Sequence, residues 1–342
     1  MILEKYYISK EHWQNVLTDW MLKHEVLAPV RQPGGLFFER IGPSRIHEIV
    51  LDTARTVQPL KSLFFPVLED VTSDPPKVPQ SALILGARAC DLKALAVLDR
   101  PFITASPDPH YASRRQPAVI VGSDCTLPFS SCFCAAVGGQ PYATDGFDLN
   151  ISKIWDGFVI EVGSLRGKVL LEGFDRSLKP LVKEEEEAQQ RLRRETVQRV
   201  QKWNFDLATL TSFDELIQTG WDFPIWQKHC STCVECGACN FACPTCHSYF
   251  LDSVTPKPFQ KLRSWDSCLF AGYDRTSGGR SARPRLFERF RHRLACKFLY
   301  QKEETGLSGC TGCGRCIDAC PGKIDMRMLA QNQPSGESVH AA

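Results

Sequence analysis

The sequence of 342 residues has no long uninterrupted apolar run. Nowhere do about 18 apolar residues follow one another without a charge, as a membrane-spanning helix requires. The first residues include Glu4 and Lys5 and lack the apolar stretch of a secretory signal peptide. We therefore expect no membrane span and a cytoplasmic location.

The sequence also lacks an excess of charge of one sign. Its 41 Lys and Arg residues face 39 Asp and Glu residues, so the net charge is +2 with neutral His. Such a balance does not favour nucleic acid as a partner, and a hydrophobic fraction of 43% argues against disorder. No G-x-G-x-x-G follows a strand and no G-x-x-x-x-G-K-[ST] occurs, so no nucleotide site is expected.

Cysteine, by contrast, is abundant. Four of the sixteen cysteines lie in the first half, none lies between residues 135 and 229, and twelve lie between Cys230 and Cys320. Disulfide scaffolds of this density belong to short secreted chains that cannot build a core. In a cytoplasmic protein of this length, the cysteines indicate metal centres or redox chemistry.

The length favours two or three domains, and the apolar pattern predicts an α/β domain over residues 1–165. Ser9 is a candidate N-cap for the first helix, and Asp91 is a candidate N-cap for a helix that follows a strand. Short apolar runs bounded by turn residues predict strands. These runs lie at 36–38, 63–65, 82–85, 118–121 and 158–162.

The rest of the chain is predicted to be helical. Residues 166–225 form a connector whose charged segment at 183–202 favours a solvated helix, with partner binding as the alternative. Residues 226–330 hold the twelve remaining cysteines, with a helix predicted at 284–300 from apolar residues at helical spacing. Residues 331–342 are expected to be a flexible tail.

Two copies of one cysteine motif lie in the second domain. Both follow C-x2-C-x2-C-x3-C-P, in which three thiolates bind one [4Fe-4S] cluster and the fourth binds the cluster of the other copy. Zinc is the alternative, but it favours two separated C-x2-C hooks and needs neither the third close cysteine nor the proline. The motifs predict two [4Fe-4S] clusters, one held by Cys233, Cys236, Cys239 and Cys320 and the other by Cys310, Cys313, Cys316 and Cys243.

Several further motifs accompany this pair. They are Cys243-Pro-Thr-Cys246, Arg263-Ser-Trp-Asp-Ser-Cys268, Gly278-Gly279, Ala87-Arg-Ala-Cys90-Asp91, Asp108-Pro-His-Tyr111 and Cys132-Phe-Cys134. Together they resemble, over roughly residues 25 to 330, one family of iron-sulfur electron-transfer subunits. This family comprises the beta subunits of cytosolic NAD(P)-linked [NiFe] hydrogenases (sulfhydrogenases) and the corresponding iron-sulfur component of anaerobic sulfite reductase. The resemblance implies an α/β domain followed by an α-helical two-cluster ferredoxin-like domain. Cys230 and Cys296 depart from the family pattern.

The four cysteines of the first half predict a third site. Cys90 lies where a strand meets a helix, whose N-terminal N–H groups would stabilise a thiolate. Four thiols near two strand ends match one more [4Fe-4S] cluster, and buried small residues or a redox pair are the alternatives. The four are Cys90, Cys125, Cys132 and Cys134. The cysteines left over are expected to pack near the clusters rather than bind a fourth: Cys230, Cys246, Cys268 and Cys296.

Between Asp274 and Lys297, eight Lys or Arg residues face two acids, Asp274 and Glu288. A solvated or salt-bridged helix explains such a stretch, and docking of an acidic partner or tuning of an anionic cluster is the alternative. Nucleic-acid binding is disfavoured because no stacking aromatics or nucleic-acid fold signature accompany the charges.

These observations predict an electron-transfer subunit without catalytic groups of its own. The resemblance implies that it relays electrons between a flavoprotein subunit that handles NAD(P) and a catalytic subunit, first of all of a cytosolic [NiFe] hydrogenase. An anaerobic sulfite or other sulfur-compound reductase is the alternative complex. An iron-sulfur regulator or a zinc-stabilised nucleic-acid-binding protein is the alternative from a different class.

Overall fold

A computed structural model describes residues 2–76, 82–204, 213–222, 224–255 and 259–331. The flexible tail predicted at 331–342 lies outside the described residues apart from residue 331. Among the helices described, none combines the length and the apolar character that a bilayer crossing requires.

Strands are concentrated in the first half of the chain. In chain order they are β1 (Glu4–Ser9), β2 (Glu25–Gln32), β3 (Gly35–Ile41), β4 (Leu68–Asp70), β5 (Ala82–Ala87), β6 (Val119–Ser123), β7 (Leu149–Ile154), β8 (Gly157–Val162), β9 (Lys179–Pro180), β10 (Tyr249–Val254) and β11 (Gln260–Trp265).

Helices occur throughout the chain and dominate its second half. They are α1 (Lys10–Lys23), α2 (Ala89–Asp99), α3 (Pro109–Arg115), α4 (Leu165–Leu170), α5 (Lys183–Trp203), α6 (Phe213–Thr219), α7 (Ile225–Cys230), α8 (Ala238–Phe241), α9 (Leu286–Ala295), α10 (Gln301–Thr305), α11 (Arg315–Asp318) and α12 (Arg327–Gln331).

The first half folds around a mixed sheet, which has eight strands within the described residues in the order β3-β2-β5-β6-β7-β8-β1-β9. β2, β5, β6 and β7 run parallel, and the outer pairs are antiparallel. Every residue of β5 is buried, as expected for a strand covered on both faces. Helix α1 packs on one apolar core and α2 on another, which confirms the predicted α/β fold.

Two local predictions in this half are wrong. Leu63, Phe64 and Phe65 do not form a strand, because Leu60–Leu63 is a 3-10 helix and both phenylalanines pack into the core directly after it. Asp91 does not cap α2, since Arg88 holds the N-cap position. Asp91 lies instead in the first turn, where it is buried against a cation from the second half of the chain.

Helix α5 is not the freely solvated connector that its charge pattern favours. Its Arg193 forms ion pairs with Asp124 at 2.7 Å and with Glu161 at 2.5 Å, both at buried carboxylates of the sheet domain. Gln189 also donates to Ser152 at 2.8 Å. One face of the helix is therefore attached to the sheet.

The second half is helical around the cysteine motifs, as predicted, but contains one hairpin that the sequence pattern did not indicate. Strands β10 and β11 pair antiparallel, and β11 then pairs with β4 of the first half. The helix predicted at 284–300 is present as α9 followed by a π-helical segment, Cys296–Tyr300. The shared three-stranded sheet joins the two halves of the chain.

Candidate metal centres

The two motif copies adopt the same backbone path. Glu235 and Gly312, each two residues after the first cysteine of a copy, have positive φ of 55° and 63°. Gly237 and Gly314 have φ of 72° and 73° and lead directly into α8 and α11. Such left-handed turns favour glycine and keep successive cysteines on the same side of the loop.

Backbone N–H groups in these loops point at sulfur atoms. Glu235 N lies 3.5 Å from Cys233 Sγ, and Gly312 N lies 3.4 Å from Cys310 Sγ. A third such contact joins Ile324 N to the sulfur of the last motif cysteine at 3.4 Å. Donors of this kind stabilise thiolates and cluster sulfurs.

The first cavity lies between the two motif copies. Apart from Arg293, its other walls are mostly apolar, with Leu269 and Phe290 among them. The structure brings the four cysteines predicted for the first cluster to this cavity together with one from the other set: Cys233, Cys236, Cys239 and Cys320, with Cys316 beside them.

The second cavity adjoins the first. Phe133 from the first half of the chain and Lys297 from the π-helical segment complete its walls. It brings together the four cysteines predicted for the second cluster: Cys310, Cys313, Cys316 and Cys243.

The third cavity lies where the carboxyl ends of β5 and β6 meet the second motif. Phe133 N donates to Gly312 O at 2.7 Å, and a Cβ at Gly312 would lie 2.5 Å from the backbone N of Cys134. The structure thus brings all four cysteines predicted for the third site to one cavity: Cys90, Cys125, Cys132 and Cys134.

Neighbouring cavities share a wall. Cys316 lines the first and the second cavity, and Cys313 lines the second and the third. The second cavity therefore lies between the other two.

Buried cations surround the second cavity. Arg293 donates to Asn240 Oδ1 at 2.7 Å and to Cys239 O at 3.1 Å, and Lys297 donates to Thr245 Oγ1 at 2.7 Å. Burial lowers the pKa of Lys297, but the negative thiolates nearby outweigh it and raise the pKa overall. The same balance raises the pKa of Arg293.

The cavities fit [4Fe-4S] clusters in their donor chemistry. All sixteen cysteines are described and each is a free thiol. Burial raises the pKa of Cys310 and Cys316 to about 12, so these thiols need a nearby positive charge, such as a metal, to bind as thiolates. Within the described residues, no three Cys, His, Asp or Glu side chains converge closely enough for a single metal ion. A cluster needs ligands spread around a cavity, as these are.

The protein surroundings of Cys90 do not by themselves stabilise a thiolate. Burial, followed by the charge of Asp91, raises the pKa of the Cys90 thiol well above its ordinary value, and Arg315 only partly opposes this. The N–H groups at the start of α2 do not compensate for the loss of solvent.

The four cysteines left over line none of these three cavities. Cys268 accepts from Asn240 Nδ2 at 3.1 Å, and Cys246 shares a hydrogen bond with Cys243. Cys230 is buried and its Sγ lies 3.6 Å from Gln227 O, whereas Cys296 begins the π-helical segment.

Sequence reasoning did not identify the polar contacts that join the two halves at the third cavity. Arg315 Nη1 lies 2.9 Å from Asp91 Oδ1, and both side chains are 1% exposed. Arg55 pairs with Asp318 at 2.6 Å and also donates to Cys313 O. The position of Arg315 inside a cysteine motif was the available signal.

Comparisons with known proteins bear on both halves. Residues 232–324 match the 4Fe-4S dicluster domain family. The chain is similar to sulfhydrogenase 2 subunit beta of Pyrococcus furiosus, with 29% identity over 313 residues that cover 88% of this chain and 89% of the relative.

Proposed function

Because the chain is related to the iron-sulfur family that includes sulfhydrogenase beta subunits, we propose that it is the electron-relay subunit of a sulfhydrogenase-like complex. The proposal assigns three [4Fe-4S] clusters to the three cavities. Their ligands are Cys233, Cys236, Cys239 and Cys320 at the first, Cys310, Cys313, Cys316 and Cys243 at the second, and Cys90, Cys125, Cys132 and Cys134 at the third.

The observation that carries the proposal is the arrangement of the cavities in a row. Cys316 belongs to the walls of the first two and Cys313 to the walls of the last two, so adjacent sites are one side chain apart. When bound, [4Fe-4S] clusters supply one-electron conduction. The protein's own residues hold the sites at fixed spacing and exclude water between them.

The ends of the row reach the surface. Cys236 at the first site is exposed, and Val234 beside it is 65% exposed. At the third site, Leu127 and Phe129 are 56% and 43% exposed and lie within the loop that carries three of its cysteines. We assign one end to a flavoprotein partner that handles NAD(P) and the other to the catalytic hydrogenase subunit.

The sequence indicates which reactions belong to partner subunits. The chain has no nucleotide fingerprint, and its cysteines lack the paired arrangement near both ends of a nickel-iron catalytic subunit. Hydride and hydrogen chemistry then belong to partner subunits. Free thiols throughout support a reducing compartment, and we propose a cytoplasmic complex in which residues 1–165 and 226–330 form the two cluster-bearing domains.

The test is anaerobic purification followed by metal analysis. We expect about twelve iron and twelve sulfide per chain and, after reduction, coupled paramagnetic signals. Zinc without sulfide would overturn the relay function. Nickel in the co-purified native complex would support a hydrogenase, whereas sirohaem would assign the chain to a sulfite reductase.

The third site has a test of its own. Cys90→Ser should remove about four iron per chain, because one ligand of a buried cluster is lost. Cys230→Ser is the matched control, since Cys230 lines none of the three cavities, and it should retain all the iron. Unchanged iron in Cys90→Ser would show that the first-half cysteines are structural.

A further inference from the structure

Two buried cations lie one helical turn apart beside the first two cavities. Arg293 belongs to α9 and Lys297 to the π-helical segment that continues it, and their exposed fractions are 4% and 3%. Arg293 lines both the first and the second cavity, whereas Lys297 lines only the second of these two. Arg293 therefore lies next to both sites, whereas Lys297 lies next to only one of the two.

Neither cation is neutralised by a carboxylate among the described residues. Arg293 donates to the Asn240 side-chain oxygen and to a backbone carbonyl, and Lys297 donates to the Thr245 hydroxyl. All of these acceptors are neutral. A buried cation without a counter-charge is strongly destabilising.

Arg289, one turn earlier on α9, shows the contrast. It is 3% exposed, but its guanidinium pairs with the Glu235 carboxylate at 2.7 Å. Arg289 lines neither cavity and has a carboxylate partner, whereas the two cations that line the cavities have none among the described residues. A negative group held in the cavities would supply the counter-charge that Arg293 and Lys297 lack.

Lys297 is connected to one particular sulfur. The Thr245 hydroxyl that accepts from Lys297 is fully buried, lies 3.3 Å from Cys243 Sγ and donates to Gly309 O at 2.5 Å. The lysine backbone is also fixed, because Gly309 N donates to Lys297 O at 2.7 Å. The ammonium group is therefore held one hydroxyl away from a ligand of the second site.

The following inference rests on the proposed function. We propose that Arg293 raises the reduction potentials of both the first and the second cluster, whereas Lys297 raises the reduction potential of the second cluster alone. A four-thiolate cluster is anionic and becomes more negative on reduction, so a fixed cation stabilises the reduced form. Little water separates these groups, so the Coulomb energy is weakly screened. The two side chains set how evenly electrons are distributed along the row.

The experiment is a potentiometric titration of the holoprotein followed by paramagnetic resonance. Lys297→Gln should shift the reduction potential of one redox couple to a more negative value. Arg293→Gln should shift the potentials of that redox couple and a second one in the same direction and leave the third unchanged. We expect each change to be on the order of tenfold in the reduction equilibrium, equivalent to about 59 mV for one electron. The redox couple shifted by Lys297→Gln should be one of the two shifted by Arg293→Gln. This relation can be checked without first assigning each signal to a site.

Arg291→Gln is the matched control. Arg291 lies on the same helix, but its guanidinium packs 3.9 Å from the centre of the Trp221 ring and lines neither cavity. Arg291→Gln removes the same charge and should leave all three reduction potentials unchanged. Arg293→Lys, which keeps the charge, should restore both potentials toward those of the wild type.

A second variant covers the case in which Arg293→Gln does not assemble clusters. Asn240→Asp places a carboxylate against Arg293 with little change of shape and should lower the same two potentials. Clusters at full iron content with only one couple moved, or none, would overturn the inference. Absence of iron and sulfide from the wild type would instead overturn the proposed function.

Discussion

Gly314 and Gly306 show how one residue type serves two purposes in this chain. Both have φ of 73°, a left-handed backbone that L side chains rarely adopt. A Cβ at Gly314 would overlap with Ser131 O, whereas a Cβ at Gly306 would meet no atom within 4 Å. Gly306 ends a helix, and Gly314 in addition allows the second motif to approach the loop of the third site.

Comparing these two glycines separates the effect of the close contact at Gly314 from the effect of the left-handed conformation that both share. Gly306→Ala should lower the free energy of unfolding by about 1–2 kcal/mol, the cost of the left-handed conformation. Gly314→Ala should cost clearly more and also reduce iron content, because Ser131 and the motif must separate. Anaerobic thermal unfolding with iron analysis checks both. Equal effects of the two substitutions would contradict the proposed close approach.

At the scale of secondary structure elements, α5 shows what a charge pattern leaves open. Its run of acidic and basic residues is typical of an exposed helix, and most of these side chains are exposed. Arg193 is the exception, with a side chain 14% exposed between Asp124 and Glu161. Spacing along the helix does not reveal that two buried carboxylates face this position.

We therefore predict that Arg193→Ala is strongly destabilising. Removal of Arg193 leaves the buried Asp124 carboxylate without a cation and Glu161 with only Lys5, at 3.4 Å. Breaking a buried pair in this way typically costs about 3–5 kcal/mol. Arg194→Ala, at an exposed position of the same helix, should change stability by about 0.5 kcal/mol or less. Thermal unfolding of both variants at neutral pH is the measurement, and equal melting temperatures would contradict the prediction.

The effect of Arg193 should also depend on pH. Burial raises the pKa of Glu161, but the hydrogen bond and charge of Arg193 outweigh it, so the pKa is lower than usual. A lowered folded pKa stabilises the fold above the unfolded value of about 4.3, and this stabilisation is lost as the pH falls through the folded value. The difference between Arg193→Ala and the wild type should shrink in that acidic range.

Other elements show the same limit of sequence patterns. The strands at 82–85, 118–121 and 158–162 were predicted correctly, because short β-branched and aliphatic runs bounded by turns fit a buried sheet. Phe64 and Phe65 form an equally apolar run, yet they follow a 3-10 helix. The β10–β11 hairpin was missed because five of the six residues of β10 are exposed and polar side chains interrupt the apolar pattern of both strands.

At the scale of the whole molecule, the two halves are joined through buried charges. Asp91 from α2 and Arg315 from the second motif form an ion pair in which each side chain is 1% exposed. Arg315 also donates to Thr56 O at 3.0 Å. The sheet domain and the motif domain therefore depend on each other at the third site.

Breaking this pair should destabilise the whole molecule. Asp91→Ala leaves Arg315 buried without its counter-charge, with an expected cost of about 3–5 kcal/mol. The double variant Asp91→Ala/Arg315→Met should be more stable than Asp91→Ala alone, since the unpaired charge is gone. Lys23→Ala, which breaks the exposed pair with Asp19, is the control and should cost about 1 kcal/mol or less. A double variant no more stable than the single one would show that the buried charge is not the cause.

What the sequence alone determined is the local chemistry. The spacing C-x2-C-x2-C-x3-C-P constrains the loops that present the thiols, and short-range geometry explains why two [4Fe-4S] clusters could be predicted. The α/β fold of the first half followed similarly from runs of apolar residues within single strands.

Only the tertiary structure decided which distant groups meet. Cys90 and Cys134 lie at opposite ends of a segment that contains α2, α3 and β6, and Arg293 meets the motifs only because α9 packs across them. Contacts of this kind depend on how whole elements pack, and no rule of residue spacing contains that information. The row of three cavities, with its uncompensated cations, is therefore a property of the folded chain.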